Sequence, residues 1–476
     1  MSKHIAIDLG ASNGRVIVGD LDSFEVVHRF VTENVKLLHE TYWDIPYIFA
    51  QIKTGIKAAL DLYGDQITSI GVDTWGVDYL LFDSFGSPVS FAYHYRDSRT
   101  DERIEQITRT IDRETLFKRT GIAFQPFNTL YQLKAMKETR PQVLSTADRY
   151  LSVPDTITYW LTGVMSNEMT HASTTQLFNP TTKDWDYELI EKAGLPSSIF
   201  KKIVSSGTKV APLESELARE LNVRHRIDVV AVGTHDTASA VAAVPNKKGK
   251  DFLYISSGTW SLLGVESEEP IVTKEALDSG FTNEMAVNGN IRFLKNIMGM
   301  WIQQECVRYW ESNGEKIEWK ELDGQTIDCA SYEGYIDPLD TVFLKPNSPG
   351  SLMVDRVKKG CTDKGFLPPE SHGEIMVAIY RGLARAYRQS IDEIKKITGQ
   401  TFDSIHVIGG GCKNEILNQW TADETGLQVV AGPVEATALG NLMVQMIATG
   451  ELDGVQMGRN RIVETQKVKV FVPNRQ

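Results

Sequence analysis

Apolar and polar positions change period along the chain, and the changes mark out its elements. Short β-branched runs at His4–Gly10 and Arg15–Asp20, joined by the turn-rich Ala11–Gly14, predict a hairpin. Ile48–Leu62 is amphipathic at helical spacing, and SIGVDTWGVDYLLFD (Ser69–Asp83) predicts a further strand. Residues 100–165 predict mostly helix, with Asp112 and Ser145 as N-caps and Gly163 as a stop. Arg226–Asp236 predicts a strand that runs into a small-residue helix, Thr237–Val244.

Pro245, Asn246 and the charged Lys247–Lys250 then break the pattern. A domain boundary is expected there, giving domains 1–245 and 246–476. The second half opens as the first does: Phe252–Glu266 is strand, glycine-containing turn, strand. A long helix is expected from about Glu374 to Thr398. Its apolar positions Met376, Ile379, Leu383, Tyr387, Ile391 and Ile394 step by three or four, and Gly399 supplies the stop. The strand Ser404–Ile408, the turn Gly409–Gly411, a helix to about Thr425 and the strand Leu427–Ala431 follow. Alternating strands and helices imply a mixed α/β sheet flanked by helices in each half. Two similarly organised halves make a cleft between them the expected ligand site.

Composition narrows this picture. A length of 476 residues suits two domains, and 42% hydrophobic with 24% charged residues is ordinary for a globular protein. No apolar run reaches the roughly 18 residues of a membrane span, and MSKHIAIDLG turns polar by Asp8 without a signal-peptide core. A cytoplasmic protein with no membrane partner is expected. The net charge of −12 disfavours nucleic acid, so an anionic nucleotide must be held locally by backbone N–H groups, a metal ion and a few cations. Cys306, Cys329, Cys361 and Cys412 stand at least 23 positions apart, a spacing that suits neither zinc nor a disulfide scaffold.

Several segments carry candidate chemistry. IDLGASNGR (Ile7–Arg15) puts a carboxylate at a strand end, then small residues and an arginine. Gly10 and Gly14 would let backbone approach a phosphate, and Asp8 could hold Mg²⁺ through water. An unliganded hairpin turn has the same pattern. The segment also contains G-x-S-x-G, but the strand-like Arg15–Val18 follows where a nucleophile elbow needs a helix, which excludes a hydrolase. Ser257, Gly258 and Thr259 form the matching turn of the second half. VIGGGCKN (Val407–Asn414) has three glycines between strand and helix without dinucleotide-binding spacing, and neither a P-loop nor the protein-kinase motif set occurs.

GTHDTASA (Gly233–Ala240) places Asp236 where a strand hands over to a helix, beside His235. A carboxylate there could accept a proton from an attacking hydroxyl, or simply cap the helix. DTWGVD (Asp73–Asp78) sets two carboxylates around Trp75 and Gly76, a pattern that suits either a sugar or a core strand. LKNIMGMW (Leu294–Trp301) groups Lys295 and Asn296 ahead of Gln303 and Gln304; a helix with a polar end would read the same way.

Taken together and in order, these segments resemble the FGGY carbohydrate kinases of the sugar-kinase/actin-like ATPase superfamily. YRDSRT, PFNTLYQL, SVPDTITYWLTG and AGPVEATALGN belong to the same pattern, which runs from Ile5 to about Gly450. The resemblance implies two actin-like (ribonuclease H-like) domains, with sugar at the cleft mainly on the first domain and ATP on the second. It implies Asp236 as general base, and Gly76, His235, Thr237 and Asn296 around the sugar. Ala11, Ser12, Asn13, Gly14, Arg15, Thr259, Gln304, Gly409, Gly410 and Gly411 would contact ATP, with Mg²⁺ near Asp8. Asn13 departs from the pattern, standing where a second serine is expected, and the extra cysteines of some relatives are absent. TWG, THDTAS and LKNIMG tilt the expected substrate to L-rhamnulose, phosphorylated at its C1 hydroxyl. Another ketose or polyol (fuculose, xylulose, glycerol), or an actin-like ATPase without sugar transfer, are the rival readings.

Overall fold

The computed structural model describes residues 2–474 apart from Lys248 and Lys250. Two of the four residues of the expected break at Lys247–Lys250 therefore lie outside the described residues. The chain forms two compact units. The first comprises residues 1–249, 266–293 and 436–465, and the second residues 250–265, 294–435 and 466–476. Two later segments, 266–293 and 436–465, thus group with the first unit. The packing within that unit explains the second return.

In the first unit a mixed sheet runs in the order Thr208–Pro212, Asp228–Ala231, Ile67–Thr74, Lys3–Leu9, Asn13–Gly19, Phe24–Val31. Lys3–Leu9 and Asn13–Gly19 form the expected antiparallel hairpin, and Ile67–Thr74 lies parallel to Lys3–Leu9. Ile45–Tyr63 is the expected amphipathic helix; it starts on an Asp44 cap and buries Ile45, Ile48, Ile52, Ile56 and Ala59. The helix Ala436–Thr449 belongs here because its polar stripe is satisfied here. Gln445 donates to the Ile5 carbonyl (2.9 Å) and accepts from Ser69 Oγ (2.6 Å), while Asn441 donates to Asp73 (2.6 Å). Gly440 lets this helix approach Asp236–Ala242, for a Cβ there would stand 1.7 Å from the Ser239 carbonyl oxygen.

Two sequence expectations need correction. Ser69–Asp83 is not one strand: Ile67–Thr74 and Tyr79–Phe82 are separated by a tight turn in which Val77 takes φ +68° and the Asp78 amide donates to the Gly76 carbonyl. Ser145 is no N-cap but lies inside Pro141–Thr146, donating to the Gln142 carbonyl. Ser152 caps the next helix, which ends at Gly163 as expected, and Asp112 does cap Arg113–Thr120.

The second unit carries a sheet in the order Ile291–Met298, Trp260–Ser267, Leu253–Ser257, Ser404–Ile408, Gln428–Ala431, Lys469–Phe471; the chain passes between the units within the first two of these strands. Its first five strands repeat the layout of Phe24–Val31, Asn13–Gly19, Lys3–Leu9, Ile67–Thr74 and Asp228–Ala231 in the first unit. The recurrence expected from the two openings is therefore a recurrence of strand order. His372–Thr398 is the long helix, with a Ser371–Glu374 capping box and Gly399 in the left-handed region at its end. Its buried Tyr387 hydroxyl meets Ser261 Oγ at 2.7 Å. LKNIMGMW is not a helix end: Leu294–Met298 finishes a strand, and the helix begins at Trp301.

Candidate functional site

Three strand ends of the first unit bring carboxylates together. Asp8 and Asp73 are Cα partners on neighbouring parallel strands, and Thr74 bridges to His235, the residue before Asp236. Arg15 Nη2 donates to Asp8 Oδ2 across the hairpin. Burial first, and then the Asp8 charge, push the Asp73 carboxyl well above its ordinary value. Asp236 adds to that repulsion, and one Asp73 oxygen has no hydrogen-bond partner. A cation near Asp8 would relieve exactly this kind of crowding, so the donor set fits Mg²⁺ held through water. No cluster of three or more ligating side chains encloses a metal directly among the described residues.

The turn Gly10–Gly14 is held by its own backbone: the Gly10 amide donates to the Asn13 carbonyl (2.9 Å), and Thr32 Oγ1 donates to the Gly10 carbonyl (2.9 Å). Ser12 and Asn13 are exposed, Ala11 and Arg15 partly so. Gly14 is not an open approach for phosphate, contrary to expectation. A Cβ there would sit 2.4 Å from the Phe30 ring, so packing demands this glycine.

Asp236 does not cap its helix. His235 occupies the cap position with extended backbone, and Asp236 is the first helical residue, its Oδ1 accepting from the Thr237 amide and hydroxyl. Its side chain keeps 31% of its surface open. Desolvation holds its carboxyl above the ordinary aspartate value, opposed by His235, Thr237 and Arg292. His235 Nε2 lies 3.5 Å from Asp236 Oδ1. A Cβ on Gly76 would stand 3.3 Å from that same nitrogen and 3.4 Å from Thr174 Oγ1, so a side chain there would crowd both. Gly76, His235, Asp236 and Thr237 are therefore gathered in one place.

Buried groups fix this turn from behind. Glu168 Oε2 accepts from the hydroxyls of Thr170 (2.6 Å) and Thr234 (2.7 Å), and Thr170 Oγ1 accepts from the His235 amide (3.3 Å). Asp78 is fully occupied: it accepts from both indole N–H groups of Trp43 and Trp75, from the Tyr95 amide and from Gln132. Burial raises it to about 6 despite these bonds. Trp75 is buried and its ring centroid lies 4.1 Å from that of Trp43, so the core reading of DTWGVD holds for Trp75 and Asp78.

The second unit gathers its candidates around Ser257–Thr259. Amides of Gly299 and Trp301 donate to the Thr259 carbonyl, and that of Met300 to the Gly258 carbonyl, fixing the turn against the start of the helix that carries Gln304. A Cβ on Gly411 would stand 1.9 Å from Ser257 Oγ, and one on Gly409, at φ +84°, 3.0 Å from the Ser257 carbonyl oxygen. Gly410 has open space, exposing bare backbone as a phosphate would require. Gln303 is bonded by the Tyr380 hydroxyl (2.8 Å), whereas Gln304 is partly exposed. Asn296 is partly exposed on the strand Ile291–Met298 of this unit. All four cysteines are free thiols.

Glu168, Glu284 and Arg292 were missed by sequence reasoning. The available signal was a charge flanked by apolar neighbours in FTNEM (Phe281–Met285) and IRFLKNIM (Ile291–Met298).

Comparison with known proteins bears on the whole chain. Residues 4–243 match the N-terminal domain, and residues 253–449 the C-terminal domain, of the FGGY family of carbohydrate kinases. The chain is 41% identical over 475 residues to a rhamnulokinase of Halalkalibacterium halodurans, covering 99% of both proteins. It is 43% identical over 463 residues to a rhamnulokinase of Oceanobacillus iheyensis, covering 96% of both. The solved structure of ligand-bound xylulose kinase from Lactobacillus acidophilus superposes with a TM-score of 0.81 over 100% of this chain and 94% of that one, at 14% identity. Gluconate kinase from the same organism gives 0.79 over 99% and 94%, also at 14% identity. At such identities the structural likeness shows the fold.

Proposed function

For a chain that belongs to the FGGY family of carbohydrate kinases, we propose ATP-dependent phosphorylation of L-rhamnulose at its C1 hydroxyl, yielding L-rhamnulose 1-phosphate and ADP. The observation that carries the sugar is the end-to-end similarity to proteins named rhamnulokinase. What supports the chemistry is an open, desolvated carboxylate, Asp236, beside a histidine and a bare glycine.

In this reading Asp236 accepts the proton of the C1 hydroxyl as its oxygen bonds to the γ-phosphorus of ATP and the bond to the β-bridging oxygen breaks. A carboxyl held above the ordinary aspartate range is a better proton acceptor than an exposed one. Gly76, His235, Thr237 and Asn296 orient the sugar. Ala11, Ser12, Asn13 and Arg15, with Thr259, Gln304, Gly409, Gly410 and Gly411, hold the nucleotide, chiefly through backbone N–H groups. Mg²⁺, held near Asp8 through water, would supply neutralising charge to the phosphate oxygens. Catalysis then rests on positioning and electrostatics. We place the enzyme in the cytoplasm; no helix among the described residues is long and apolar enough to cross a membrane.

The test is ADP release by pure protein with Mg-ATP across L-rhamnulose, L-fuculose, D- and L-xylulose, L-ribulose and glycerol. A dominant kcat/KM on L-rhamnulose is expected. A dominant rate on another sugar would overturn the substrate, and sugar-independent hydrolysis would overturn the transfer reaction.

A further inference from the structure

Between Ala231, the last residue of a strand, and Asp236, the first of a helix, residues 232–235 run without helix or strand ladder. Thr234 and His235 are buried there, so their amides need acceptors that neither element supplies. Glu168 supplies them. Its Oε2 accepts from the Thr234 hydroxyl (2.7 Å) and amide (3.3 Å). The same oxygen accepts from the Thr170 hydroxyl (2.6 Å), whose Oγ1 in turn accepts from the His235 amide (3.3 Å). The Thr234 carbonyl accepts from the Thr74 amide (2.9 Å), so every polar group of Thr234 is engaged.

Glu168 is also the buried N-cap of Met169–Ala172, and capping accounts for its bonds from the Thr170 amide (2.8 Å) and the His171 amide (3.3 Å). Capping does not account for the two bonds from Thr234, which lies 66 residues further on and just ahead of His235 and Asp236. Glu168 is itself anchored away from that turn. Asn167–Glu168 pairs with Ile203–Val204, the Glu168 amide donates to Asp155 Oδ1 (3.1 Å), and Ser206 Oγ donates to Glu168 Oε1 (2.6 Å). The turn is therefore tied to a frame that carries none of the residues assigned to the sugar.

We propose that Glu168 is a positioning residue for Asp236, holding the base in place through Thr234 and the His235 amide. Glu168 is wholly buried and reaches no substrate; it acts by setting where the helix that begins with Asp236 starts. His235 caps that helix without a side-chain hydrogen bond, so the cap residue does not fix the helix start with its own side chain. A misplacement of about 1 Å in a reacting group can cost roughly 10²-fold in rate.

This role rests on Asp236 being the base, and the experiment separates the two. Glu168→Met fills the space but offers no acceptor, so kcat should fall roughly 10²-fold with the KM for ATP unchanged. Glu168→Gln keeps an oxygen for Thr170 and Thr234 and turns its NH₂ toward the Ser206 hydroxyl, which can accept; it should recover most of that loss. Because unpaired buried donors can unfold Glu168→Met, Thr234→Val gives a second reading. It removes one donor at constant shape and should lower kcat roughly threefold to tenfold at a Tm near wild type. Placed on Asp236→Asn, the same change should cost no more than about twofold, since a base must be present for its misplacement to matter. Three results would overturn the proposal and leave the base reading standing: folded Glu168→Met with wild-type kcat, Thr234→Val with wild-type kcat, or a Thr234→Val loss that persists in full on Asp236→Asn. Near-normal kcat in Asp236→Asn alone would remove the base reading and the proposal with it.

Discussion

The hairpins that open the two units share a place in the same strand order but are built on opposite principles. In the first, the strand before the turn ends in Asp8, which is paired with Arg15 and pressed by Asp73 on the next strand. In the second, Ser257, Gly258 and Thr259 carry no charge, and the neighbouring turn, Gly409–Gly411, contributes an absence of side chains. One region works through charges whose environment sets their protonation. The other works through backbone that only glycine can bring so close. A charge can be neutralised at constant shape, whereas a glycine cradle fails sterically, so substitutions in the two should produce different kinds of failure.

The largest effect is expected at the charged region. Asp236→Asn preserves shape and should lower kcat by ~10²-fold or more with both KM values little changed. Steady-state kinetics at near-normal kcat would remove Asp236 from the base role. Next is Gly411→Ala, whose Cβ collides with Ser257 Oγ. Overpacking of this kind costs about 1–3 kcal/mol, so Tm should fall and the KM for ATP rise, and Ser257→Gly should restore much of both. If the first variant destabilised and the second did not, the contrast would be broken.

Smaller effects sharpen it. Gly76→Ala narrows the approach to His235 Nε2 and Thr174 and should raise the sugar KM by roughly threefold to tenfold while sparing ATP. Acid should separate two populations of carboxylate. Asp236 must be ionised to accept a proton, and its folded value is raised. kcat/KM should therefore decline on the acid side at a pH above that of an ordinary aspartate. Glu284 is held down from 4.5 to about 2, so its contribution to stability is present above pH 4.5 and lost as pH falls toward 2. Asp78 and Asp155, raised from 3.8 to about 6 and about 7, act with the opposite sign: they favour the folded state when protonated, and that contribution is lost as pH rises through those values. Thermal melts of wild type and Glu284→Gln should draw together as pH falls below about 4.5 and converge toward about pH 2.

Much of this was legible locally. The β-branched runs at His4–Gly10 and Arg15–Asp20, and the three-and-four spacing from Met376 to Ile394, named their elements because strand propensity and helix period are local properties of the chain. The turn at Trp75–Asp78 was not legible, since its apolar residues continue the strand pattern on both sides and only Val77 in the left-handed region breaks it. Ser145 misled because a serine that caps a helix and one that bonds back within it look the same in sequence.

By itself, then, the sequence determined the periodic elements, the glycine turns and the ordered set of motifs that marks a carbohydrate kinase. Tertiary structure alone decided that Ala436–Thr449 closes the first unit, that Phe30 rather than a ligand demands Gly14, and that Glu284 and Arg292 meet His235. Period and turn chemistry are set by neighbours along the chain. The partners of a histidine and the steric need for a glycine are set by atoms that fold in from other elements.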